Sequence, residues 1–200
     1  MKKILLIATG GTIASHAGGE GLIPELKAEQ LLKCVPEVFS FCKPSAIQVY
    51  NIDSTNVTPA HWVQLAKAIQ ERYDEYDGFV VCHGTDTLSY TAAMLSYMVQ
   101  HSPKPIVLTG SQKPIDKEDT DGRINLRDSF LYAASEDACD VSIVFQGKII
   151  VGTRAKKVRT KSYNAFTSGK IDFSNIVFFA SVTVLFLYLA TAMLDKKRWA

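Results

Sequence analysis

The feature that most constrains this chain is a junction: the uncharged aliphatic run Ile4 to Ala8 leads through Thr9 onto two glycines, Gly10 and Gly11, and then onto Thr12. A short apolar run bounded by glycine suits a strand buried on both faces of a parallel sheet. In α/β proteins the turn that follows such a strand is where chemistry is kept. Glycine permits backbone angles and close approaches that a Cβ forbids, so Gly10 and Gly11 can present N–H groups to an anion or a developing oxyanion. Taken alone, the junction also fits folds that bind only a nucleotide.

A second junction narrows the field. From Asp77 to Thr87 the chain reads D-G-F-V-V-C-H-G-T-D-T, an apolar strand Phe79 to Cys82 running into a turn with Thr85 and Asp86. Two hydroxyl-bearing turns at the carboxyl ends of two parallel strands would converge on one crevice. The pair T-G-G-T-I-A at 9 to 14 and H-G-T-D-T at 83 to 87 resembles the bacterial L-asparaginases. From Lys2 to about Asn175 the chain is similar to the cytoplasmic, type I branch of that family.

The remaining elements extend the alternation. Leu26, Leu31 and Leu32 are spaced for a helix from Glu25 to about Val35, ended by Pro36, and Ile47 to Ile52 reads as a strand. Thr58 before Pro59 is a helix start, with Trp62, Leu65, Ala66 and Ile69 on one packing face. A helix from about Thr87 to Gln100, a strand Ile106 to Thr109 and a helix Asn125 to Glu136 follow. Strands Val141 to Phe145 and Ile149 to Val151 flank a turn at Gly147. This order predicts an α/β domain over residues 1–175, an open, mostly parallel sheet flanked by helices. Ser15 to Pro24, rich in glycine and poor in apolar anchors, reads as a mobile loop.

The resemblance implies roles for particular residues. Thr12 attacks the side-chain amide of L-asparagine to form an acyl-enzyme, ammonia leaves, and water releases L-aspartate; L-glutamine is a second, weaker substrate. After the strand ending at Ile52 comes D-S-T-N, and Asp53, Ser54 and Thr55 match the family's substrate turn, with Ser54 and Thr55 on the α-carboxylate and α-amino groups. From the residues alone, an ordinary polar turn is the favoured reading of that stretch, and only the resemblance reverses it. Gly84, Thr85 and Asp86 also line the substrate, Asp86 on its amino group. Lys157 matches the catalytic lysine, while Lys156 falls where the family varies. The family's lid carries a tyrosine that polarises the nucleophile, but no tyrosine stands between Thr12 and Lys27, and Leu22 lies where one is expected.

Those residue types suit the chemistry. A threonine hydroxyl is a weak nucleophile at its free pKa and needs a base or proton relay beside it. Thr85 with Lys157 can supply one, since an ammonium held by a carboxylate gives up its proton when burial or neighbouring charge lowers its pKa. Asp86 is the carboxylate nearest in sequence, so it shares orientation and catalysis. His83 reads instead as a hydrogen-bonded structural residue at a strand's end. Neither metal nor organic cofactor is implied. The loop from Ser111 to Gly122 mimics a calcium loop with Asp116, Glu118 and Thr120, but Asp121 stands at the sixth place, where glycine is needed, and Arg127 at the twelfth, where glutamate is needed.

Composition excludes other classes. Of the 200 residues 47% are hydrophobic and 21% charged, ordinary for a globular domain, and a formal charge of +2 argues for neither nucleic acid nor an acidic surface as partner. The basic stretch Gly152 to Phe166 is a solvated face or a nucleic-acid patch, although it lacks the interleaved aromatics of single-strand binders. Cys34, Cys42, Cys82 and Cys139 have no metal-ligand spacing and read as reduced thiols. The apolar run behind Met1 stops at Ala8 with no cleavage pattern after it, which points to the cytoplasm. The resemblance adds a homo-oligomer.

Beyond Asn175 the expectation changes. Residues 176–194 carry no charge over nineteen positions, enough to cross about 30 Å of hydrocarbon as a helix, and Asp195, Lys196, Lys197, Arg198 and Trp199 form an interfacial flank. The family continues instead into a second α/β domain, which is expected to be absent. Residues 176–200 are therefore expected to form an apolar helix. A transmembrane anchor, the product of a frameshift or truncation, and a helix packed on the domain all fit that run. The alternative to an active asparaginase is accordingly an inactive fragment, tethered at a membrane or binding small amino acids.

Overall fold

A computed structural model describes residues 1–18, 21–24, 26–158 and 166–168, with the backbone alone over 16–18, 21–24 and 166–168. The chain divides into two compact units, Met1–Ser168 and Gly169–Ala200, of which the second lies outside the described residues. The apolar helix, membrane contact and interfacial flank expected over 176–200 fall there. Among the described residues no helix is long and apolar enough to cross a membrane.

The first unit begins with β1 (Lys3–Gly10), a turn of 3-10 helix (Thr12–Ala14), β2 (Ser15–Gly18) and β3 (Gly21–Pro24). Next come α1 (Ala28–Lys33), β4 (Lys43–Ile52), α2 (Pro59–Gln70), β5 (Gly78–Cys82) and α3 (Leu88–Met98). They are followed by β6 (Ile106–Thr109), α4 (Gly122–Ala133), β7 (Val141–Phe145), β8 (Lys148–Val151), β9 (Ala155–Lys157) and β10 (Phe166–Ser168). The main sheet runs β4-β1-β5-β6-β7-β8, parallel throughout except that β8 turns back antiparallel on β7 through Gly147.

Strand periodicity explains the two cores. Successive side chains of a strand point to opposite faces. In β1, Ile4, Leu6 and Ala8 therefore join the core beneath α1 and α4, with Leu31, Leu32, Leu126 and Phe130. Leu5 and Ile7 join the opposite core beneath α2 and α3, with Leu65, Ile69, Leu88 and Leu95. All five β1 side chains are fully buried. A strand wanted by two cores has no polar face, which is why its sequence shows no alternation.

Several expectations change on inspection. The strand expected over Ile47 to Ile52 begins at Lys43. The stretch Ser15 to Pro24, expected as a loop, forms the antiparallel pair β2 and β3, with Ser15 opposite Pro24 and Gly18 opposite Gly21. Backbone pairing does this without an apolar pattern, so side-chain reading missed it. The helix expected over Glu25 to Val35 is confined to Ala28–Lys33. The one expected to begin at Asn125 begins at Gly122, where Gly122 N–H donates to Thr120 Oγ1 at 2.9 Å.

Candidate active site

The strand order contains one switch point. β1 has β4 on one side and β5 on the other, so the chain leaving β1 passes to the α1 face and the chain leaving β5 passes to the α3 face. Loops that part in this way leave a crevice at the carboxyl ends of the strands. Three loops meet there: Gly11–Thr12 after β1, Asp53–Asn56 after β4, and His83–Thr87 after β5.

Glycine makes the meeting close enough. Gly11 has φ +81°, and a Cβ on it would lie 2.4 Å from Gly84 Cα and N. A Cβ on Gly84 would lie 2.5 Å from Ser54 Oγ. Bare backbone is therefore required on both sides of the seam. Thr12 and Thr85 each follow one of these touching glycines, so each Cα lies one peptide step, about 3.8 Å, from the contact. Thr12 is half-buried and opens the 3-10 turn, which Ala14 N–H to Gly11 O closes at 3.1 Å.

Ser54 ties the second loop to the third. It is 3% exposed; its Oγ accepts from Asp86 N–H at 3.3 Å and its carbonyl accepts from Thr87 Oγ1 at 2.8 Å. Asp53 organises its own turn, Oδ1 accepting from both Thr55 N–H and Thr55 Oγ1 at 2.8 Å. Asp53 and Thr55 are exposed.

Lys157 reaches the third loop from β9. Its ammonium donates to Thr85 Oγ1 at 2.9 Å and to Asp86 Oδ1 at 2.7 Å. The lysine side chain is 14% exposed and that of Asp86 53%, so the ion pair is covered on the lysine side and open to solvent on the other. Strand alternation separates the two lysines: Lys156 is exposed, Lys157 turns inward. The structure thus brings Thr85, Asp86 and Lys157 into direct contact, binds Ser54 to Asp86, and sets Thr12 at the same seam.

His83 is 1% exposed and held between two fixed partners. Nδ1 lies 2.8 Å from Gly84 O, and Nε2 lies 3.0 Å from Thr91 Oγ1. Burial lowers its pKa from 6.5 to about 4, opposed by the bond to the Gly84 carbonyl, so the ring is neutral at pH 7. Among the described residues no group of three or more His, Cys, Asp or Glu is arranged to hold a metal ion.

Sequence reading missed two polar supports. It places Trp62 on a packing face and gives Thr91 no role, yet Trp62 Nε1 donates to Thr91 Oγ1 at 2.9 Å. The signal in the sequence was a threonine inside the apolar face Leu88, Ala92, Leu95. The Asp121 carboxylate accepts from Gln112 N–H at 3.0 Å and from Asn125 Nδ2 at 3.2 Å, and Asn125 Nδ2 also donates to Gly110 O at 2.9 Å. These bonds fix the loop after β6 beside Thr85, where a Cβ on Gly110 would lie 2.4 Å from His83 O and 3.4 Å from Thr85 Cγ2.

Comparison with known proteins decides the kinship. The family model described as the N-terminal domain of asparaginase matches residues 3–186. The chain belongs to the asparaginase family. That match runs past Asn175 into the apolar stretch, further than the resemblance was expected to reach. An L-asparaginase of Thermococcus kodakarensis is 38% identical over 184 residues, 92% of this chain and 55% of the relative. A solved structure of the thermostable enzyme from that organism superposes with TM-score 0.76 at 40% identity, over 83% of this chain and 51% of that one. L-asparaginase 1 of Escherichia coli K12 is 37% identical over 171 residues, 84% of this chain and 51% of the relative. A Glutamyl-tRNA(Gln) amidotransferase component from Pyrococcus abyssi is also similar, 38% identical over 178 residues, 84% of this chain and 40% of the relative. The chain spans about half the length of the L-asparaginases it matches.

Proposed function

We propose that this chain carries the nucleophile-bearing part of an L-asparaginase site and hydrolyses L-asparagine to L-aspartate and ammonia. The observation that carries the reading is the bond pair from Lys157 Nζ to Thr85 Oγ1 and Asp86 Oδ1 at the seam where Gly11 meets Gly84.

Thr12 Oγ attacks the side-chain amide carbon, and an ester bond forms as the carbon–nitrogen bond breaks. The hydroxyl proton of Thr12 ends on the departing nitrogen, which leaves as ammonia. The Thr85 hydroxyl and the Lys157 ammonium provide the path for that transfer: the ammonium gives one proton toward the departing nitrogen and regains one from the Thr85 hydroxyl, which takes the Thr12 proton. Water then cleaves the ester, aspartate departs, and a water proton restores the Thr12 hydroxyl. The Thr85 backbone N–H stabilises charge on the amide oxygen; the Gly11 N–H, expected to serve an oxyanion, donates instead to Ile52 O at 3.2 Å. Asp86 attracts the substrate's ammonium, and Ser54 and Thr55 orient its carboxylate end. L-glutamine, longer by one methylene, fits the same groups less well.

The likeness to a component of a tRNA-dependent amidotransferase supports a second reading, in which the released ammonia is consumed by a partner. Ammonia release from L-asparagine and from L-glutamine by the purified chain, with Thr12→Ala as control, tests both. Release that depends on Thr12 and favours asparagine supports the asparaginase reading. Equal release by wild type and Thr12→Ala removes it and leaves a fragment without turnover.

A further inference from the structure

The tautomer of His83 follows from its neighbours. Gly84 O can only accept, so His83 Nδ1 carries the proton and donates across 2.8 Å. Nε2 of the neutral ring then accepts from Thr91 Oγ1, and the Thr91 oxygen in turn accepts from Trp62 Nε1, which can only donate. The chain of bonds has one direction, from the indole on α2 through the hydroxyl on α3 to the carbonyl of Gly84. Each member is buried or half-buried, where an unmet donor would be costly.

That carbonyl belongs to the peptide joining Gly84 to Thr85. In a trans peptide the N–H points opposite to the C=O. With Gly84 O held on the His83 ring, the Thr85 N–H is directed away from that ring. Among the described residues no protein acceptor is bonded to it. Gly84 is free of side-chain constraint and without such a hold its peptide could rotate, taking Thr85 with it.

We propose that His83 is a positioning residue: the directed chain from Trp62 through Thr91 clamps the Gly84–Thr85 peptide and so aims the Thr85 N–H and hydroxyl at the crevice. The imidazole takes no proton in the reaction and touches no substrate. Its place beside the site is explained by a donor at Nδ1 and an acceptor at Nε2 on one rigid ring. The kinetic arm of this proposal rests on the asparaginase reading; the structural arm does not.

The test separates the two ring nitrogens in the full 200-residue chain. His83→Asn places an amide donor near the Nδ1 position, whereas His83→Gln reaches toward the Nε2 position and leaves Gly84 O without its donor. The readout is the backbone amide resonance of Thr85 in a nitrogen-15 spectrum, with thermal unfolding recorded for each variant. The proposal expects the Thr85 signal of His83→Gln to move further from wild type than that of His83→Asn. Turnover of the Gln variant should fall at least about tenfold below that of the Asn variant, with KM within about twofold, the loss of one aligned hydrogen bond at the transition state. Thr91→Val, which removes the hydroxyl from outside the ring, should move the Thr85 signal in the direction His83→Gln moves it. A Thr85 signal that is the same in both His83 variants, or unmoved in Thr91→Val, overturns the clamp. If wild type releases no ammonia, the asparaginase reading fails while the Thr85 signal still decides the clamp.

Discussion

Gly11 and Gly84 meet backbone to backbone at the point where the sheet switches direction, so closely that one added carbon on Gly11 would lie 2.4 Å from Gly84 Cα. Gly11 also has φ +81°, which disfavours a side chain on conformational grounds. Gly147 shares the second feature, φ +67°, but has nothing within 4 Å of an added Cβ. Gly11→Ala should therefore destabilise the chain by roughly 2–5 kcal/mol and Gly147→Ala by about 1 kcal/mol, the difference being backbone overlap. Urea unfolding of the two variants measures it. Equal losses would mean that the seam gives way at little cost.

Acid should unfold the protein partly through His83. In the unfolded chain the ring has its ordinary pKa of 6.5, while burial holds it near 4 in the folded chain. Between those values the unfolded state binds a proton that the folded state refuses. The contribution to stability is complete above pH 6.5 and falls on acidification toward pH 4. The loss totals on the order of 3 kcal/mol. His83→Asn removes this slope, so its stability measured against wild type at pH 7 and pH 4.5 should converge on acidification. A constant difference across that range would place the ring's pKa elsewhere.

Lys157 and Lys156 offer an internal comparison. Lys157 bonds Thr85 and Asp86, whereas Lys156 faces solvent on the other side of the same strand. Lys157→Met should lower ammonia release by about 10²-fold or more, the size of a lost proton relay. Lys156→Met should change it by about twofold at most, as usual for an exposed side chain. Because Asp86 is largely exposed, the ion pair adds little to folding, and the melting temperatures of both variants should stay close to wild type. A large loss in Lys156→Met would reassign the lysine.

Thiol labelling reads the burial of the sheet. Cys139 is exposed and should react first, with half-buried Cys34 slower because burial raises its pKa. Cys42 and Cys82 are buried, and desolvation raises their pKa values to about 11 and about 12. Both should react only after unfolding in denaturant. Rapid labelling of Cys82, at the end of β5, would mean that the centre of the sheet opens readily.

The strands were legible because a residue wanted by two cores must be apolar: Ile106–Thr109, between Pro105 and Gly110, and Val141–Phe145, between Asp140 and Gln146, lie where expected. The pairing of 15–18 with 21–24 was not, since it is made by the backbone between short segments without an apolar pattern. Thr12, Thr85 and Asp86 stood out because hydroxyl and carboxylate types follow glycine at strand ends. Lys157 was legible only by family resemblance; nothing in a run of basic residues tells which one turns inward until β9 fixes the alternation. The support of His83 was hidden for another reason. Trp62 and Thr91 lie on different helices, and only the packing of α2 against α3 makes them partners.

The central claim, that Thr12 is the nucleophile of a crevice assembled at the Gly11–Gly84 seam, is tested most directly by trapping. The purified chain is treated with an L-asparagine analogue whose side-chain amide is replaced by an electrophile, and the adduct is located by intact-mass and peptide-mapping mass spectrometry. The account predicts one adduct per chain, on Thr12, suppressed by excess L-aspartate and missing from Thr12→Ala. An adduct that forms at the same rate in Thr12→Ala, or that maps to Lys157 or Cys139 in wild type, would contradict it.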